Sequence, residues 1–273
     1  MYFYENFKSI YAFEEAINKR PVNEIFNNYN TSSILGTESF TETKSFEEAE
    51  NLLRKGWNKE VKKMEAELKN FSGSVKSGYN KQIKNIAGYA PCVPNAIKGV
   101  PKSMYATKTA KKDFKAIHII INNTAAGCCS SKDLMESGML FLKLATLLEK
   151  NKIRTKIDII PKMSKTGDNI YGCTINLKDY RQPFNISKIA YPLAHTSMFR
   201  RHGFKWWETL PINMPSEATN YGYSMIYISK YKKKEYFQYA GFLDDNVIYL
   251  DFEDAQKAGF NIENLIKNKG INL

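Results

Sequence analysis

The chain has 273 residues, 43% of them hydrophobic, and a formal net charge of +12; this length and apolar content exclude a disordered polypeptide or a small disulfide-stapled one. No run reaches the ~18–20 apolar residues of a membrane span, and Met1–Asn6 lacks the basic, apolar and small-residue zones of a secretory leader. The expectation is a soluble cytoplasmic protein without a membrane partner, whose basic balance attracts polyanions without specifying one; AT-rich coding also supplies lysine, asparagine, isoleucine and tyrosine.

Residues 1–44 read as an N-terminal arm rich in Phe, Tyr and Asn, with a short helix over Phe13–Asn18 ended near Pro21 and a polar, turn-like Asn27–Thr37. Residues 45–114 read as a helical extension and basic, proline-containing linker packing on the core. Ser45-Phe46-Glu47-Glu48 is a capping box, and Phe46, Ala49, Leu52 and Leu53 share one helical face that Gly56 closes. Trp57, Val61, Met64, Leu68 and Phe71 then form an apolar seam, with Lys59, Lys62, Lys63 and Lys69 off it. Ser72–Gly78 is a small-residue linker, Gly88–Pro94 is extended, and Pro94–Gly99 fits one helical turn. Lys98, Lys102, Lys108, Lys111, Lys112 and Lys115 thread this stretch, as a polyanion contact or as an ordinary solvated connection.

Residues 115–273 read as an α/β domain. Ala116–Ile121 is a buried strand ending in Asn122-Asn123-Thr124, the loop Ala125–Ser131 is small, and Lys132–Lys150 is a mostly apolar helix with Ser130 or Ser131 as N-cap. His118 in that strand is expected to be a hydrogen-bonded core histidine. The second strand, Thr155–Ile160, ends at Pro161; Met163–Asp168 is a turn; Ile170–Leu177 is an antiparallel third strand. Ile186–Arg201 reads as a helix kinked at Pro192, followed by the aromatic cluster Phe204–Leu210. Tyr223–Ser229 and Val247–Leu250 are further strands, and Lys232–Ala240 and Ile262–Lys269 further helices, the last capped by Asn261. This is the opening of a doubly wound, Rossmann-like fold, with ligands expected where the first strand meets its helix.

The candidate site residues follow from that placement. Asn122 and Thr124 stand at the carboxyl edge. Arg200 and Arg201 suit a carboxylate or phosphate, and Trp206 suits a base stack or a protein anchor; the competing reading is a helix end with favourable cations and then a core aromatic cluster. Lys232 and Lys233, with Lys230, Lys234, Tyr227, Tyr231 and Tyr236, form a basic-aromatic strip. Cys128 or Cys129 at a helix start, with His195 or His202 as base, would make a cysteine nucleophile; small residues packed where backbone passes a helix start are the alternative. The four cysteines fit neither a zinc site nor a disulfide framework, and Ala125–Ser131 lacks nucleotide-loop spacing.

The order of elements from Lys115 onward resembles the von Willebrand factor A domain: a mostly parallel sheet with one antiparallel edge strand. That family holds Mg²⁺ through an Asp-x-Ser-x-Ser motif, a Thr and a second Asp. Here Asn122 takes the Asp position, Thr124 the first Ser position and Ala126 the second, and Thr196 and Asp251 are offered for the rest. The resemblance therefore implies a degenerate site with no metal. Ser45–Ala49 with Gly56-Trp57, Gly88–Pro94 up to Gly99–Met104, and Ile119–Thr124 followed by Ser137-Gly138 and Leu147–Glu149 also resemble a family of bacteriophage-encoded proteins of unknown function. The expectation is a non-catalytic phage protein in the host cytoplasm, binding a host or phage protein, or nucleic acid, through the carboxyl-edge loops. It requires no cofactor. A DNA- or RNA-binding role in phage replication or host takeover, and a cysteine-dependent enzyme, are the alternatives.

Overall fold

The computed structural model describes residues 2–22, 37–70, 81–108, 116–125, 127–166, 169–211, 223–224 and 247–271. The chain divides into two compact units, Met1–Ser72 with Ala116–Leu273, and Gly73–Lys115.

The elements run in this order: β1 Tyr2–Phe7, α1 Ile10–Lys19, α2 Glu38–Thr41, α3 Phe46–Lys55, α4 Asn58–Asn70, β2 Lys81–Asn85, β3 Ala90–Pro91, α5 Val93–Ile97 and β4 Met104–Lys108. Then come β5 Ala116–Asn122, α6 Ser131–Lys150, β6 Arg154–Thr166, β7 Asn169–Lys178, α7 Ile186–Ala194, a π turn Met198–His202, α8 Gly203–Glu208, β8 Tyr223–Ser224, β9 Val247–Asp251, α9 Phe252–Lys257 and α10 Ile262–Asn268.

The large unit is α/β, around a mostly parallel sheet ordered β1-β7-β6-β5-β9, with β8 pairing on β6. β5 pairs in parallel with β6 and β9, β7 is antiparallel to β6, and β1 is parallel to β7. The isoleucine run is central because both its faces are covered. Ile119 and Ile121 point into the main core; Ile120 points into a second cluster with Ile160, Met163, Ile170 and Tyr249. A strand buried on both sides reads as a continuous apolar run rather than an alternating one.

Among the described residues, the helices of this unit pack on one face. Phe13 and Ile17 of α1, Phe46 of α3, Val61 of α4, Ala255 of α9 and Leu265 of α10 share a single core cluster with α6, α7 and α8. On the other face, His118 is buried and its Nε2 lies 2.6 Å from Oδ2 of Asp158, whose Oδ1 accepts from Asn176 at 2.6 Å. The core histidine is hydrogen-bonded, as expected. α6 buries most of its circumference and leaves Lys132, Glu136 and Lys150 exposed. Its Gly138 is needed for close approach, since a Cβ there would lie 2.4 Å from Ala194 Cα.

Four local expectations are corrected. The second strand does not stop at Pro161: β6 passes through it, with a register shift between Ile159 and Lys162. A bulge leaves the proline nitrogen outside the ladder, so its missing N–H is harmless. Consequently Met163–Thr166 is strand, not turn, while Asp168 lies outside the described residues. β7 is antiparallel as read, but it is not an edge, because β1 adds outside it. The helix over Ile186–Arg201 ends at Ala194, two residues after a proline that cannot donate to Lys188, and the chain resumes as the π turn. Gly203 opens α8 in helical conformation, and a Cβ there would lie 2.5 Å from the Pro161 carbonyl oxygen.

The small unit is an antiparallel sheet ordered β2-β4-β3 with α5 following β3. Gly88 packs on the central strand: an added Cβ would sit 2.0 Å from the Tyr105 carbonyl oxygen.

Candidate functional site

At the carboxyl end of β5 the chain turns on its own side chains. Asn122 Oδ1 accepts from the Thr124 amide at 3.2 Å and the Thr124 hydroxyl at 2.6 Å, while Asn122 Nδ2 donates to the Tyr249 hydroxyl at 2.9 Å. This is the local bond by which asparagine favours turns. Burial pushes the Tyr249 phenol up, so it stays protonated. Asn123 fastens the same turn to α6: its Nδ2 donates to the Leu134 carbonyl at 2.9 Å, and its Oδ1 accepts from the Ser137 hydroxyl.

Asp251, at the end of β9, is the register partner of Asn122. Its Oδ1 accepts from the Asp254 amide at 3.0 Å, and Asp254 Oδ2 accepts from the Asp251 amide at 3.1 Å, which makes it the N-cap of α9. Thr196 donates to the Ser131 carbonyl at 3.1 Å, at the first residue of α6. The fold thus gathers Asn122, Thr124 and Asp251 at one edge and sets Thr196 against the start of the adjoining helix.

This donor set does not suit Mg²⁺. A hard cation takes oxygens and favours carboxylates. Here the one carboxylate of the set caps a helix, the Asn122 oxygen already accepts two internal bonds, and Ala126 has no side-chain oxygen.

Arg200, Arg201 and Trp206 are buried, at 4%, 0% and 0% exposure. Arg200 donates to the carbonyls of Phe40 at 2.9 Å and Cys129 at 2.7 Å, with its guanidinium 3.9 Å from the Phe40 ring centroid. Burial pulls it down to about 10. Arg201 donates from Nε to the Thr43 hydroxyl and from Nη2 to the Thr43 carbonyl, both at 2.6 Å. Trp206 Nε1 donates to Glu5 Oε2 at 2.6 Å, and Glu5 also takes a two-pronged contact from Arg20. Ser131 donates to the Ser39 carbonyl and to the Glu42 carboxylate, and Ser197 donates to the Thr41 carbonyl at 2.8 Å. The arginine pair therefore fastens residues 37–43 over the helix start. The partners Phe40, Glu42, Thr43, Glu5 and Tyr249 carry no sequence motif, and only their places in the fold identify them.

His195 lies between the rings of Trp57 and Tyr191, and burial pulls it down to about 4. Its Nδ1 accepts from the Ser197 amide at 3.1 Å, with the Ser197 hydroxyl at 2.9 Å, all of it buried under residues 41–43. His202 is fully buried against Phe46 and Tyr191 and is pulled down to about 3 by burial. Cys128, by contrast, is exposed, Cys129 is half-buried, and Gly127 and Ser130 are exposed. Lys232 and Lys233, with the rest of the basic-aromatic strip, lie outside the described residues.

No curated protein and no solved structure matches the chain. A family model described as Domain of unknown function (DUF7192) matches residues 2–270, taking in both compact units. The chain belongs to that family.

Proposed function

We propose that the chain is a non-catalytic binding module that engages a macromolecular partner through the carboxyl-edge loop of a von Willebrand A-like domain without a metal. The family likeness rests on β5 flanked in parallel by β6 and β9, with β7 turned antiparallel; a viral origin belongs to the same reading and rests on the sequence resemblance. The observation that carries the proposal is the internal engagement of the edge. Asn122, Arg200, Arg201 and Ser197 each bond to another part of the chain, and Thr124 bonds back to Asn122, while Gly127, Cys128 and Ser130 face solvent. Such an edge presents a shape built of small residues and main chain to a partner, with its arginine and histidine side chains turned inward. The arginines and Trp206 act as the frame of that surface.

The test uses the intact chain as bait in extracts of the cells that express it, beside Gly127→Arg and Cys128→Glu. Both positions are exposed, and a Cβ at Gly127 meets nothing within 4 Å, so the fold tolerates the changes. A partner retained by the wild type and lost from both variants supports the proposal. A partner retained by both overturns it. Retention that vanishes with nuclease or between low and physiological salt moves the reading to nucleic acid.

A further inference from the structure

We infer that Gly73–Lys115 carries, on its described residues 81–108, a second docking surface, for an acidic protein segment that also presents apolar side chains. The inference does not rest on the carboxyl-edge reading. This stretch holds nine lysines, no arginine and one aspartate, so eight of the chain's twelve net positive charges sit in 43 of its 273 residues. The same stretch holds most of the exposed large hydrophobic side chains among the described residues. Among the described residues, six large hydrophobic side chains are exposed, and five are here: Ile97 at 80%, Ile86 at 72%, Tyr89 at 65%, Val93 at 58% and Val100 at 38%. Scattered single hydrophobics are ordinary on a surface, but five within fifteen positions of one small unit mark an interaction site.

The fold of the unit fixes how they are offered. Tyr89 N donates to the Tyr105 carbonyl at 2.9 Å, and Gly88 lies against that carbonyl, so the turn carrying Ile86 and Tyr89 is pinned to β4. Cys92 N donates to the Ser103 carbonyl at 2.6 Å and anchors the start of α5, which carries Val93 and Ile97. Asn95 ties the charges to the same place: its Oδ1 accepts from Lys84 Nζ at 3.3 Å, and its Nδ2 donates to the Lys102 carbonyl at 3.3 Å. Lys84, Lys98 and Lys102 therefore accompany the apolar side chains on one small scaffold.

The chemistry selects the occupant. No acidic residue occurs among the described residues of this unit, so its lysines are complementary to carboxylates supplied from outside. A second copy of the same unit would bring like charge. Nucleic acid would satisfy the lysines, but four of the five exposed hydrophobics are aliphatic and give bases no ring to stack on. Aliphatic side chains accompanied by lysines suit the apolar face of an acidic amphipathic segment.

The probe is a fluorescein-labelled peptide of about 20 residues with Leu on one helical face and Glu elsewhere, titrated with the full chain. Beside it run the same peptide with Ser for Leu, a single-stranded oligothymidylate, and phosphatidylserine vesicles. The expected result is saturable, salt-sensitive binding of the Leu–Glu peptide, roughly tenfold weaker for the Ser version. It falls by about fivefold or more in Ile86→Ser/Ile97→Ser and in Lys84→Glu/Lys98→Glu, each variant checked for an unchanged melting curve. Gly127→Arg leaves it unchanged, which separates this surface from the carboxyl edge. Failure of the peptide to bind, indifference to both double variants, or tighter binding of the oligonucleotide or the vesicles overturns the inference.

Discussion

Arg201 and Thr43 are joined twice, guanidinium to hydroxyl and guanidinium to carbonyl, across 158 positions of sequence. Both are buried, so truncating the arginine leaves the Thr43 carbonyl without its charged donor. Arg201→Ala is expected to cost about 2–4 kcal/mol in chemical denaturation. Arg201→Lys recovers only part of this, because an ammonium cannot reproduce the planar fork. Equal midpoints for wild type and Arg201→Ala would contradict the clasp.

Acid should weaken the large unit through its buried imidazoles. Burial holds His202 near 3 and His195 near 4, whereas an unfolded histidine titrates near ~6.5. Between those values the unfolded chain binds more protons, so the contribution is complete above pH ~6.5 and is lost as pH falls toward 4 and then 3. Melting temperature is expected to drop across that window in the wild type and less steeply in His202→Phe. Parallel curves would show that His202 does not carry the effect.

Lys162 predicts the reverse of an ordinary lysine substitution. It is buried on β6, with its ammonium position 5.1 Å and 5.4 Å from the ring centroids of Phe204 and Trp207, and burial pulls it down to about 7. The unfolded lysine stays protonated up to ~10.4. The folded state therefore gains stability as pH rises from 7 toward 10, and the buried amine is costly at neutral pH and below. Lys162→Met should raise stability at pH 7 by about 1 kcal/mol or more and flatten the rise between pH 7 and 10. A loss of stability at pH 7 would refute this account of the site.

How far these residues were legible depends on how local their causes are. The N-caps at Ser45, Ser130 and Asn261 and the buried isoleucine strand depend on neighbours within a few positions, and each lies where the sequence puts it; the return arm of the Ser45 capping box differs, because Glu48 accepts from the Lys44 amide instead. β1 carries no local signal: Tyr2–Phe7 is short, lacks alternation, and pairs with a strand more than 160 residues later. The strand passing through Pro161 is not legible locally, because only the bulge, a tertiary feature, makes a proline harmless there. Arg200, Arg201 and Trp206 stood out as polar and aromatic residues in a row. Whether such a row faces solvent depends on residues 5 and 37–43, far upstream, and nothing in the local pattern carries that.

Restoring the lost oxygens tests the likeness to the von Willebrand A architecture. Asn122→Asp/Ala126→Ser returns a carboxylate and a hydroxyl beside Thr124, with Asp251 across the strand pair. If the edge keeps that geometry, the double variant should gain a Mg²⁺-dependent rise in melting temperature that the wild type lacks. A rise in the wild type itself, or none in the variant, would count against the likeness.

The most direct test of the central claim is partner capture compared across two variants of the full chain, Gly127→Arg at the carboxyl edge and Lys84→Glu/Lys98→Glu in the small unit. The account predicts that the edge partner is lost with Gly127→Arg and retained by the lysine variant. Capture unaffected by Gly127→Arg would contradict it.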